Sequence, residues 1–212
     1  MFFFSFDFAT LCIPKEGLEI VNLTGVEDHF GKTRQGYGNK KRYVIVEAPI
    51  TTISFYLQQR EEFLQDVTEP LFIEDLDVSD EVKLIKFVKL FNTILASSPD
   101  TYIPHSKDDA RKYFKQGTFL VYRAHKAIGY SHAVIQKEKE TNQCIGAIAG
   151  IGVYPSYRGK YLSLALINRV VEYFINNQVD KIQADIYELN IPSLKHFSSL
   201  GFREVGETFL VQ

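Results

Sequence analysis

From residue 71 onward, hydrophobic positions recur with two different periods. Segments 71–77, 118–124, 127–137, 143–153, 181–187 and about 202–211 are β-rich runs bounded by polar turns, and they predict strands. The segment 79–95 carries Val82, Leu84, Ile85, Val88, Leu90 and Phe91 near the 3.6-residue repeat, with Ser79 and Glu81 at an acidic start. A second, shorter helix is predicted over 106–117, with Ser106 as its cap, Asp108 and Asp109 in its first turn, and Gly117 past its end. Helices are further predicted over 158–177 and 191–200. Strand 143–153 is almost wholly apolar, which predicts a central strand covered on both faces. The order β-α-α-β-β-β-α-β-α-β predicts an α/β (α+β) fold, with a mixed, mostly antiparallel central sheet flanked by helices.

The first 67 residues read differently. Phe2, Phe4, Phe6 and Phe8 recur with period two, and 17–23 and 42–48 are β-rich, so strands are expected there. Residues 31–42, with Gly, Asn and five cations, read as a loop. Segment 51–67 predicts a helix capped by Thr51 or Thr52. This divides the chain into a β-rich N-terminal extension, 1–67, and a main domain, 68–212. The aromatic N-terminus leaves three roles open: a strand added to the sheet, a cap over substrate, or an element of a homodimer.

Composition narrows the function classes. With 212 residues, 45% of them hydrophobic, a core can form without a metal or a disulfide, and no metal site is expected. The formal net charge of -2 argues against a general nucleic-acid binder. The basic segment 31–42, with Tyr37 among its cations, is expected to be a solvated loop, RNA binding being the alternative. Cys12 and Cys144 make no framework and suit thiols in a reducing compartment. The apolar start, MFFFSFDFATLCIP, lacks a basic n-region and is interrupted by Asp7. No apolar run has membrane-spanning length, so a cytoplasmic protein is expected.

The stretch VYPSYRGKYLSLAL (153–166) carries candidate chemistry. A strand ending at Val153, a turn at 155–157 and a helix beginning near Arg158 leave the N–H groups of about Gly159 to Ser163 without intrahelical acceptors. Together with the helix dipole these form an anion site, while Gly159 admits a close approach and Arg158 and Lys160 add charge. A plain helix start with solvated cations fits the same residues.

Taken with DIYELNIPSLKHFSSLGFREVGE (185–207), the stretch resembles the GNAT family of N-acetyltransferases over about two-thirds of the chain. Val153, Pro155, Arg158, Gly159, Asn190, Gly201 and Phe202 stand where the family pattern wants them. The resemblance implies that acetyl-CoA is the co-substrate. The loop of Arg158, Gly159, Lys160, Tyr161, Leu162 and Ser163 would cradle its pyrophosphate. Strand 143–153 would splay from 181–187, so that backbone groups of Ile151, Gly152 and Val153 meet the pantetheine. Asn190, Ser193 and Phe197 would complete the cofactor site.

Four positions depart from the family pattern, the mildest being Ser193 in place of an Ala in the second motif. Tyr161 and Ser163 hold its Gly and Gly/Ala positions, and Phe197 replaces a Tyr whose hydroxyl protonates the leaving thiolate in many members. Phe has no such proton. Strand 143–153 carries no acid, so the general base is sought among His132, Asp185, Tyr187 and Glu188. The expected function is direct transfer of an acetyl group to a primary amine of a small molecule or protein. The alternative is an acyl-CoA-binding sensor or interaction module of the same fold without the chemistry.

Overall fold

A computed structural model describes residues 20–21, 40–60, 71–100, 102–137, 143–159 and 161–211. Its elements in chain order are β1 (Ile20–Val21), β2 (Lys40–Pro49), α1 (Ile50–Gln58), β3 (Phe72–Asp75), α2 (Glu81–Leu95) and α3 (Lys107–Tyr113). There follow β4 (Thr118–Arg123), β5 (Lys126–Lys137), β6 (Cys144–Val153), a 3-10 turn (Pro155–Tyr157), α4 (Leu162–Asn176), β7 (Lys181–Tyr187), α5 (Ile191–Ser199) and β8 (Arg203–Val211). Among the described residues, no helix is long and apolar enough to cross a membrane.

The strands form one sheet in the order β1-β8-β2-β7-β6-β5-β4-β3. Among the described strands only β6 and β7 pair in parallel, because α4 carries the chain from one to the other. The N-terminal strand β2 is inserted between β7 and β8 and pairs antiparallel with both. The extension therefore supplies an inner strand of the main sheet.

Helices cover both faces. On one, Ile53 and Leu57 of α1, Ile167, Val170 and Phe174 of α4, and Phe197 of α5 form a single buried cluster. On the other, Leu84, Phe87, Phe91 and Ile94 of α2 pack with Ala110, Phe114 and Tyr130. The apolar character of β6 follows from contact with both layers. A Cβ at Gly146 would meet the Phe174 ring at 2.8 Å, and one at Gly152 would meet Ile94 Cγ2 at 2.4 Å. Cys144, half-buried, opens this strand; Cys12 lies outside the described residues.

Several boundaries differ from those the sequence predicts. Helix α1 spans Ile50–Gln58 rather than starting at Thr51 or Thr52 and running to 67. Strand β2 leads straight to Pro49, and the first helical N–H is satisfied by tertiary contact, Ile50 N donating to the Asp180 carbonyl at 3.2 Å. Residues 61–70 lie outside the described residues. Residues 40–42, expected in the basic loop, belong to β2, paired with β8; 31–39 lie outside the described residues. So do the predicted N-terminal strand at Phe2–Phe8 and the flanks of 17–23, of which Ile20–Val21 pairs with β8.

Helix α2 starts at Glu81, two residues inside the predicted 79–95, because Asp80 caps it by accepting from Val82 N and Lys83 N. Ser106 and Asp109 form a full capping box on α3, which ends at Tyr113. Gly117 is thus no helix terminator. Its φ of +67° turns the chain into β4, where a Cβ would meet the Ala133 carbonyl oxygen at 2.3 Å. Helix α4 starts at Leu162, not near Arg158, because Gly159 and Tyr161 both have positive φ.

Candidate active site

Strands β6 and β7 pair only from Ile145–Lys181 to Ala147–Gln183, although β6 runs on to Val153 and β7 to Tyr187. The gap is supported from outside. Strand β5 continues to pair with β6 through Gly129–Val153, and β2 pairs with β7 up to Tyr43–Tyr187. A bulge between His132 and Ala133 shifts the β5–β6 register at the level where the strands part.

A cleft of about 900 Å³ opens from this gap. Its walls are the end of α2 with Ile94 and Ser97, the end of β6, the loop into α4, and the start of α5. All the cofactor residues expected from the sequence line it (Ile151, Gly152, Val153, Arg158, Gly159, Tyr161, Leu162, Ser163, Asn190, Ser193 and Phe197), except Lys160, which lies outside the described residues. Sequence reasoning missed other lining residues, among them the end of α2, His196 and Arg60. His196 was legible, since it follows Ser193 by three residues on one helix and so shares its face. Arg60 has no local signal, because only tertiary packing brings it here. No carboxylate is among the described lining residues.

The start of α4 is an open donor end. Leu164 N and Ala165 N donate to the Tyr161 carbonyl at 3.0 and 3.3 Å, so Leu162 and Ser163 precede the first helical bond. No side chain caps the helix. Gly159 has φ +75° with nothing within 4 Å of a Cβ, so conformation rather than crowding calls for glycine there. Tyr161 adopts φ +57°, a left-handed conformation costing a side-chain-bearing residue roughly 1 kcal/mol. That is the conformation for which the family pattern uses glycine. Tyr161 is 46% exposed and lines the cleft. Arg158 acts as a brace: Nε donates to the Val153 carbonyl at 3.2 Å and a terminal nitrogen donates to Ser97 Oγ, tying loop to strand end and to α2.

The start of α5 is closed. Asn190 Oδ1 accepts from Ser193 N at 3.4 Å, and Pro192 occupies the first turn. Phe197 reaches the cleft but is 2% exposed, its ring packed edge-on against Phe202 at 4.9 Å.

The base candidates have different fates. His132 is buried away from the cleft lining, with Nδ1 2.7 Å from Thr118 Oγ1 and its ring against Phe114. Burial pushes it down to about 4, so it is neutral near pH 7. Tyr187 packs on Tyr43 with centroids 5.6 Å apart, and Glu188 pairs with Arg42 at 3.5 Å. Asp185 lies two residues past Gln183, so it shares that residue's face one step beyond the last β6–β7 pair. Its Oδ1 is buried without a partner among the described residues. Burial raises its carboxyl to about 6. Nearby, Asp100 of the α2–α3 loop accepts from Tyr43 and Lys41 of β2, each at 2.7 Å, pinning that loop over the same end of the sheet.

A sheet splayed beside an uncapped helix start defines an anion-accepting cleft between two halves of a mixed α/β domain. The chain belongs to the acetyltransferase (GNAT) family, whose model matches residues 87–202, more than half its length. Among solved structures it is similar to the aminoglycoside N-acetyltransferase AAC(6')-Iy in complex with CoA (20% identity, TM-score 0.52, covering 66% of this chain and 93% of that one). It is also similar to a chain of the NatC complex bound to Gag peptide and CoA (18%, TM-score 0.55, 66% and 96%). A third similar structure is the aminoglycoside acetyltransferase meta-AAC0020, from an uncultured soil metagenomic sample, in complex with sisomicin (16%, TM-score 0.52, 66% and 89%). At these identities the likeness establishes the fold. No curated protein matches the sequence.

Proposed function

We propose that the protein is an acetyl-CoA-dependent N-acetyltransferase that passes the acetyl group directly to a primary amine. The observation that carries this reading is the open N-terminal end of α4 beside the β6–β7 gap, in a cleft lined by cations and no described carboxylate. Acetyl-CoA supplies an activated acyl group on a thioester. The N–H groups of Leu162 and Ser163 hold the pyrophosphate at the helix dipole. Past Ala147 the backbone of β6, no longer paired with β7, pairs with the pantetheine amides near Ile151–Val153 and donates to the thioester carbonyl oxygen. Holding amine and thioester in line supplies much of the rate.

Asp185 is not among the cleft-lining residues, so it takes the proton through an intervening water. The amine nitrogen attacks the carbonyl carbon, the C–S bond breaks, and the proton from nitrogen passes to the Asp185 carboxylate. Phe197 has no proton to give, so the thiolate leaves as an anion and is protonated by water. A base must be ionised, so activity should rise with pH through about 6 and level off above it. Assaying amine-dependent thiol release over a panel of small amines and peptide N-termini tests the reading. Turnover is expected, and Asp185→Asn should lower kcat roughly a hundredfold or more and remove the pH step. A step that persists in that variant takes the base role away from Asp185.

A second reading is favoured by one observation, the buried Phe197 in place of a proton donor. It makes the domain an acyl-CoA-binding sensor or interaction module. Tight acetyl-CoA binding with no thiol release for any amine selects it.

A further inference from the structure

The cleft carries positive groups in two separate places. Arg158 braces the α4 end, bonded to Val153 and Ser97. Beside α5, Arg60 and His196 face the cleft together. Arg60 follows α1 and is anchored to the end of α5, donating to the Ser199 carbonyl at 3.0 Å and to Ser199 Oγ at 3.3 Å. Helix α1 is itself fixed against this region, since a Cβ at Gly201 would meet both Thr52 and Tyr56 at 2.7 Å. These bonds use only the terminal nitrogens of Arg60, while a guanidinium carries five N–H donors.

The neighbouring His196 has its Nε2 buried with no hydrogen-bond partner among the described residues. Burial, and then the Arg60 charge, hold its imidazole below the usual histidine range. A cation fixed in place beside a partnerless imidazole nitrogen, in a cleft with no described carboxylate, is a site completed by an anion. An anionic oxygen would accept from both groups and offset the charge that disfavours His196 protonation.

We propose that Arg60 and His196 form a second anion subsite of the cleft, separate from the α4 helix end, that binds the phosphate monoester on the ribose of CoA. This rests on the acetyl-CoA reading: CoA carries two anionic groups, the α4 end takes the pyrophosphate, and the monoester is the one left over. The N-terminal extension would then have a direct part in ligand binding as well as its part in the sheet.

Isothermal titration with CoA and with 3′-dephospho-CoA tests the subsite. The unaltered protein is expected to prefer CoA by roughly tenfold or more, the range of a charge-assisted pair. Arg60→Gln and His196→Gln should each bring the two affinities together by weakening CoA alone, with dephospho-CoA binding unchanged. Retained dephospho-CoA binding also shows that a variant has folded; if Arg60→Gln fails that control, His196→Gln decides. Equal affinity of the unaltered protein for both ligands overturns the subsite and leaves the acetyl-CoA reading standing. A preference that survives in the folded variants overturns it as well. Binding of neither ligand overturns the acetyl-CoA reading and this subsite together.

Discussion

Two helices start at the cleft, and they start in opposite ways. Helix α5 is closed by its own sequence, with Asn190 accepting from Ser193 N and Pro192 removing a donor from the first turn. Helix α4 has neither device: its N-cap position is Tyr161 in a left-handed conformation, and no side chain caps it. Both helices direct the positive end of a dipole at one space, yet only α4 keeps its donors available to a ligand. An anion site here follows from the omission of a cap, and the residues around it serve to hold that omission in shape. Gly159 turns the chain, and Arg158 bonds to the strand end and to Ser97.

Closing α4 should break this contrast most completely. Ser163→Asp puts a carboxylate in the first turn, where it stabilises the helix but opposes a phosphate. Acetyl-CoA affinity by calorimetry should fall roughly a hundredfold, with melting temperature level or slightly higher. Undiminished affinity would mean that the pyrophosphate binds elsewhere.

Opening α5 tests the other side. Asn190→Ala should lower stability in urea by about 1 kcal/mol, as loss of an N-cap does, and change affinity only a few-fold. A large loss of affinity at unchanged stability would instead make Asn190 a direct ligand.

The smallest effect is expected from Tyr161→Gly. Glycine adopts the same left-handed turn without the side-chain penalty, at some loss of unfolded-state restriction, so stability should stay within about 1 kcal/mol. Affinity should hold within a few-fold, because Tyr161 is exposed rather than packed inside the cleft. A rise of roughly tenfold would show that the ring occupies space the ligand needs.

Much of this was legible in the chain itself. The element order from 71 to 211 followed from hydrophobic period, and the Ser106 cap from residue type alone. The part of the cleft's lining at the starts of α4 and α5 followed from two short motifs, VYPSYRGKYLSLAL and NIPSLKHFSSLGF, while the end of α2 and Arg60 did not. Boundaries were less legible where a long-range contact does the capping. Helix α1 begins at Ile50 because Asp180 accepts its first N–H, a partner 130 residues away in the chain. Asp185, Tyr187, Glu188 and His132 looked alike as base candidates, since a sequence shows residue type but not solvation. Burial of one carboxylate oxygen without a partner separates Asp185 from Glu188, which is ion-paired. His132 also has a buried Nε2 without a partner among the described residues, but it stands on β5 with its other ring nitrogen beside Thr118, whereas Asp185 stands on β7 just past its last pair with β6.

What the sequence determined alone was local: strands from alternation and branched side chains, helices from their apolar stripe, and a glycine turn before an uncapped helix. Each depends on residues within a few positions of one another, so short-range sterics and hydrogen bonding suffice. Only the tertiary structure decided that an N-terminal strand would enter the sheet between β7 and β8, that the expected parting of β6 and β7 would come after three pairs, and that Arg60 would stand beside His196. Those outcomes depend on which apolar faces bury one another across more than a hundred residues of chain, and no local period encodes that choice.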